Sequence, residues 1–184
     1  MPSCTRVIEF DAGHRVLNHE GKCRRIHGHR YKIELTVSST QLDSIGRVVD
    51  FSVLKERCGA WIDANWDHKL LLFSADPLAK IITAEDGLVI VDFNPTAENM
   101  AFALNKKFSE LLRETGIHVT SIRVYETPNC WSDHVNLTFN YIPQKYGTPI
   151  SPNTPGDFKG LYPYVHTNIA NELSKQHPFS EFNF

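Results

Sequence analysis

The stretch Cys23-Arg24-Arg25-Ile26-His27-Gly28-His29 decides the reading of this chain. From Tyr31 onward the odd positions Tyr31, Ile33, Leu35 and Val37 are apolar, and Arg30, Lys32, Glu34 and Thr36 are polar. That is the two-residue period of a strand with one wet face. Continued backwards, the same parity puts His27 and His29 on the apolar side. Gly28 between them carries no side chain, so another backbone can approach closely there. Two histidines two apart on one strand stand roughly 6–7 Å apart at their bases, close enough to share a cation. A third ligand would complete a catalytic-type zinc site with an open position for substrate. The candidate is His14, in Phe10-Asp11-Ala12-Gly13-His14-Arg15, just after the apolar alternation of Val7, Ile8 and Phe10. If the first two strands pair as a hairpin, His14 faces the start of the second. An isolated His-x-His is more often two ordinary histidines near a strand entry. The third histidine and the adjacent thiol are what favour a metal.

Composition sets the outer bounds. The chain has 184 residues, 41% of them apolar, which suits one globular domain with a sizeable core. A formal charge of −2 gives no footprint for nucleic acid or an anionic membrane. Lys22, Arg24 and Arg25 beside the thiol would suit a small anionic substrate, although such a triplet is also what a solvated turn contains. No apolar run approaches the roughly eighteen residues of a membrane span. Met1-Pro2-Ser3-Cys4-Thr5-Arg6 has no apolar core of a signal peptide, so a cytoplasmic location is expected. The four cysteines, Cys4, Cys23, Cys58 and Cys130, show no paired spacing and are expected as free thiols, with Cys58 packed in a helix.

The remaining elements follow in order. Strands are expected at about 6–12 and 29–39. A helix then begins near Asp50 or Ser52 as cap and buries Phe51, Leu54, Cys58, Trp61 and Ile62. Asp67-His68 follows it. A carboxylate beside an imidazole can fix its tautomer and stabilise its charged form, or the pair can simply close the helix. A connecting segment at 74–94 contains a short strand, Leu88-Val89-Ile90-Val91. Thr96 then caps a second helix with Glu98 in its first turn and a buried stripe of Met100, Leu104, Phe108, Leu111 and Leu112, ended by Gly116. In a third strand Thr120, Ile122, Val124 and Glu126 share a face. A carboxylate there is rescued by a partner, belongs to a ligand pocket, or lies just past the buried zone in water. A fourth strand places Val135, Leu137, Phe139 and Tyr141 on one face and His134 on the surface. From Pro143 the composition turns to Pro, Gly, Ser, Thr and Asn, which divides the chain into a domain at 1–142 and an arm at 143–184 whose aromatics could dock on another subunit.

Taken together, Phe10-Asp11-Ala12-Gly13-His14-Arg15, Cys23 to His29, Val49-Asp50-Phe51, Asp67-His68, Pro95-Thr96-Ala97-Glu98-Asn99 and Tyr125-Glu126-Thr127-Pro128 resemble the 6-pyruvoyltetrahydropterin synthase family over about residues 6–142. Three residues between Cys23 and His27 look like its 6-carboxytetrahydropterin synthase branch. The resemblance implies an α+β tunnelling-fold (T-fold) subunit: a four-stranded antiparallel sheet with two helices on one face, in ββααββ order. It also implies a homotrimer or homohexamer, with ring closure removing the sheet edges. The implied enzyme is a zinc-dependent lyase of the queuosine and 7-deazaguanine route. It would act on a small-molecule pterin triphosphate, 7,8-dihydroneopterin triphosphate, and yield 6-carboxy-5,6,7,8-tetrahydropterin, acetaldehyde and triphosphate. No nucleic-acid or membrane partner is implied. Zn2+ would be held by His14, His27 and His29, Cys23 would be the general base, and His68 with Asp67 a proton relay. Glu126 would anchor the pterin, Thr96 and Thr127 would line its pocket, and Arg24 and Arg25 are candidates for the triphosphate. The alternatives are the 6-pyruvoyl reaction, without acetaldehyde release, and a non-catalytic pterin-binding module. A long arm at 143–184 and Trp66 before Asp67 depart from the family pattern.

Overall fold

The computed structural model describes residues 1–136; Leu137, Phe139 and Tyr141 of the expected fourth strand and the arm at 143–184 lie outside the described residues. Two long strands, β1 (Ser3–His14) and β2 (His27–Ser38), pair antiparallel over their whole length. Ile8, Phe10, Ala12 and His14 of β1 and Tyr31, Ile33, Leu35 and Val37 of β2 are buried on one side. Glu9, Arg30, Lys32, Glu34 and Thr36 alternate with them on the other. On that wet face Arg30 reaches across to Glu9 at 3.2 Å and Asp11 at 2.7 Å, exposed cross-strand pairs worth little individually.

The chain then forms α1 (Phe51–Leu54), a π-helical turn (Lys55–Gly59) and α2 (Ala60–Asn65), one continuous helical run. Asp50 caps it by accepting from the Ser52 N–H at 2.9 Å. Leu54, Cys58 and Ile62 are fully buried, but Phe51 is 49% exposed, against expectation. It stands in the first turn and lines an open groove with Cys4, Val48 and Val49. Next come β3 (Lys69–Phe73), β4 (Leu88–Val91), α3 (Ala97–Leu111), β5 (His118–Thr127) and β6 (Cys130–Val135). Thr96 caps α3 through the Asn99 N–H at 3.3 Å, and Gly116 takes the left-handed φ of 73° after it. Met100, Leu104, Phe108 and Leu112 point into the same core as Leu54, Ile33, Ile122 and Val124, so both helical segments cover one face of one sheet.

That sheet corrects one expectation. It has six strands in the order β4-β3-β1-β2-β5-β6, with β3 parallel to both β1 and β4 and the other pairings antiparallel. The four expected antiparallel strands are its β1-β2-β5-β6 part, and the α+β class stands. Leu70 to Phe73 escaped notice as a strand because Leu71 and Leu72 are both fully buried, so the segment shows no alternation. A second correction concerns β6. Val135 is 55% exposed, whereas His134 is half-buried and meets the Phe102 ring edge-on at 5.3 Å. His134 pairs with Ile122, and directly paired residues share a face, so it is His134 that looks toward α3. Among the described residues no helix is long and apolar enough to cross a membrane.

Candidate active site

The end of the β1–β2 hairpin brings three imidazoles together. His14 lies directly opposite His27 in the ladder, and Ala12 opposite His29, with Gly13 facing Gly28 between them. A Cβ on Gly28 would stand 3.0 Å from the Ala12 carbonyl oxygen, which explains the missing side chain. The ring centroids of His14, His27 and His29 are 4.4, 5.2 and 5.0 Å apart pairwise. One nitrogen from each ring lies within 4.8 Å of the others; among the described residues this is the one such group of His, Cys, Asp or Glu side chains.

The tautomers are set from outside the cluster. His14 Nδ1 donates to the Pro95 carbonyl at 2.7 Å and His27 Nδ1 to the Arg25 carbonyl at 2.8 Å, which turns Nε2 of both rings toward the cluster as lone-pair donors. Burial pushes His14 down to about 4; the Pro95 contact opposes this, and His27 and His29 add to it. His29 is also lowered, chiefly by burial, against the opposing pull of Glu126. His14 and His29 are therefore held in the uncharged form that binds metals. Nε2 of His14 and of His29 are buried and find no hydrogen-bond partner among the described residues. Two buried ring nitrogens without a partner, beside a third imidazole with a nitrogen within 4.8 Å, fit a cation.

Cys23 sits on a single 3₁₀ turn (Lys22–Arg24), and its carbonyl accepts from the Val16 N–H at 2.8 Å. It lines a cavity of about 210 Å³ together with His14, Thr96 and Glu126. Glu126 arrives there through a bulge. Tyr125 pairs with Trp131 and Thr127 with Cys130, so Glu126 is the unpaired extra residue of β5. Bulges re-aim side chains in this way. Its Oε1 stands 3.9 Å from His14 Nε2. Thr127 turns elsewhere, accepting from the Asn129 N–H at 3.3 Å. Trp66 is buried against Phe10 and Trp61, away from the cavity wall.

Asp67 and His68 lie apart from Cys23. His68 has a left-handed φ of 56°, its N–H donates to the Asp11 carbonyl at 2.7 Å, and its Nδ1 is 2.8 Å from Asp67. Asp67 also accepts from the Asp11 N–H at 2.9 Å, and these contacts hold its carboxyl below the usual range, the Asp11 bond first. The His68 side chain lines a second cavity, of about 580 Å³, with Asp11, His29, Arg30 and Lys69. Arg24 and Arg25 are exposed. No site role was legible in the sequence for His19, Glu98, Cys130 or Trp131, which all line the Cys23 cavity. Only the position of His19 four residues before Cys23 could have drawn attention to any of them.

Residues 3–136 match the model of the family described as 6-pyruvoyl tetrahydropterin synthase. The chain belongs to that family, and is an enzyme of it. It is 43% identical over 135 residues to the 6-carboxy-5,6,7,8-tetrahydropterin synthase of Rickettsia bellii, covering 71% of this chain and 98% of that protein. It is 37% identical over 126 residues to the probable 6-carboxy-5,6,7,8-tetrahydropterin synthase of Halobacterium salinarum, covering 67% of this chain and 79% of the relative. In fold it resembles an uncharacterized protein of Wolinella succinogenes, with TM-score 0.67, 24% identity and 73% and 98% of the two chains covered. The Caenorhabditis elegans 6-pyruvoyl tetrahydropterin synthase aligns at TM-score 0.54 and 23% identity over 74% and 97%. These last two likenesses establish the T-fold.

Proposed function

We propose that this chain is a zinc-dependent lyase that converts 7,8-dihydroneopterin triphosphate and water to 6-carboxy-5,6,7,8-tetrahydropterin, acetaldehyde and triphosphate. One observation carries the proposal: a single cavity takes in His14, Cys23 and Glu126, in a chain 43% identical to a 6-carboxy-5,6,7,8-tetrahydropterin synthase. His14, His27 and His29 would hold the zinc. When bound, it supplies a Lewis acid for negative charge developing on the substrate's side-chain oxygens. Cys23 takes the proton from the adjacent side-chain carbon as its thiolate. An ordinary thiol titrates near about 8.5, so a neighbouring positive charge is needed to favour that form. Glu126 accepts hydrogen bonds from the pterin ring N–H and exocyclic amine, and Thr96 walls the pocket.

The Asp67–His68 pair relays protons to the opposite side of the substrate side chain. Because His68 lines a different cavity from Cys23 in one chain, this role calls for a His68 contributed by a neighbouring copy. That requirement agrees with a homotrimer or homohexamer, working in the cytoplasm. The test is to incubate metal-loaded full-length protein with dihydroneopterin triphosphate and identify every product by mass. 6-Carboxytetrahydropterin with equimolar acetaldehyde is expected. A diketo product without acetaldehyde would replace this reading by the 6-pyruvoyl reaction, and intact substrate would leave only a binding module.

A further inference from the structure

The loop that carries Cys23 is built to hold another ring in the same cavity. Asn18 takes the left-handed region with φ 64°, and the His19 N–H donates back to the Val16 carbonyl at 3.2 Å, closing a turn. The loop is anchored by Asn94, whose amide accepts from the Leu17 N–H at 2.8 Å and donates to the Leu17 carbonyl at 2.9 Å. The Gly21 N–H donates to His19 Nδ1 at 2.8 Å. With Nδ1 an acceptor, the proton of the imidazole is on Nε2. His19 is half-buried and lines the cavity beside Cys23, His14 and Glu126. Its Nδ1 is used by the turn, so what it offers a ligand there is the Nε2–H.

We propose that His19 is a substrate-binding residue of this site, donating Nε2–H to a negatively polarised oxygen of the bound molecule. The metal ligands donate no hydrogen bond into the cavity, Glu126 only accepts, and Cys23 has to give up its proton to act. A donor beside Cys23 therefore complements these three groups, alongside the Thr96 hydroxyl and the Trp131 indole N–H that line the same cavity. The proposal rests on the pterin triphosphate reading for its ligand, but the loop geometry stands without it.

The test compares full-length, metal-loaded wild type with His19→Phe and His19→Gln, the latter keeping an N–H near the Nε2 position. With dihydroneopterin triphosphate, His19→Phe is expected to raise KM about tenfold or more, roughly 1.4 kcal/mol of lost binding. His19→Gln should recover most of this, with metal content and the rate of Cys23 alkylation unchanged in both. An unchanged KM in His19→Phe overturns the proposal. So does a fall in kcat alone with slower Cys23 alkylation, which would assign His19 to the thiol. Nitrogen-15 chemical shifts of the wild-type ring, read without substrate, check the tautomer: a protonated Nδ1 in the neutral ring also overturns it. Should wild type bind the pterin without turning it over, the proposed function fails, and the same comparison is read from binding titrations.

Discussion

Acidification of the metal-free protein should expose how His14 is held. In the folded chain its pKa is pushed down to about 4, against 6.5 for an ordinary histidine, because the ring is buried with His27 and His29 beside it. Between those two values the unfolded chain binds a proton that the folded chain refuses. Stability due to this group is therefore present above pH 6.5 and is lost as pH falls toward about 4. Integrated from about pH 7.5 to about pH 4.5, the loss is about 2.5 kcal/mol for this one residue. The assay is urea unfolding of chelator-treated wild type and His14→Gln at both pH values, with the slope on urea checked for constancy. His29 is lowered in the same direction and titrates in both proteins, so the difference between their pH dependences isolates His14. Wild type should lose about 2.5 kcal/mol more than the variant on acidification. Equal losses would refute the claim that His14 is buried uncharged.

Three further outcomes are expected. His29→Ala removes one of the three imidazoles proposed to hold the zinc, so metal measured by atomic emission should fall from an expected one per chain to well below half, with the circular dichroism of the fold retained. Gly28→Ala drives a methyl against the Ala12 carbonyl oxygen of the paired strand, which cannot move alone, so thermal unfolding should show a loss of about 1–3 kcal/mol. Cys58 is buried and its thiol is pushed up to about 12, so brief alkylation of the native protein followed by peptide mapping should leave Cys58 unmodified while exposed Cys130 reacts.

What the sequence disclosed was whatever short-range periodicity controls. The two-residue alternation of β2 extends without a break through His29 and His27, and a hairpin then leaves His14 no place but opposite them. Thr96, Asp50 and Gly116 announced helix ends because capping is a matter of three or four residues. Long-range pairing was hidden. β3 joins β1 in parallel across more than fifty residues, and its consecutive buried leucines carry no strand period. The same is true of the site. Glu126 enters the cavity because of a bulge defined only by its partner strand, and Cys130 and Trp131 come with that strand. His19 is placed by the Asn94 amide from far along the chain. His68 sits next to Asp67 as read, but the bond from its backbone to Asp11 turns it toward a different cavity from Cys23.

Turnover by Cys23→Ala is the most direct measurement of the account, made on protein shown to carry one metal per chain. Loss of product formation from dihydroneopterin triphosphate by about 10²–10⁴-fold, with metal content and pterin binding intact, is the expected result for a deleted general base. Wild-type turnover by that metal-loaded variant would contradict the assignment of Cys23 and with it the chemistry proposed for the cavity.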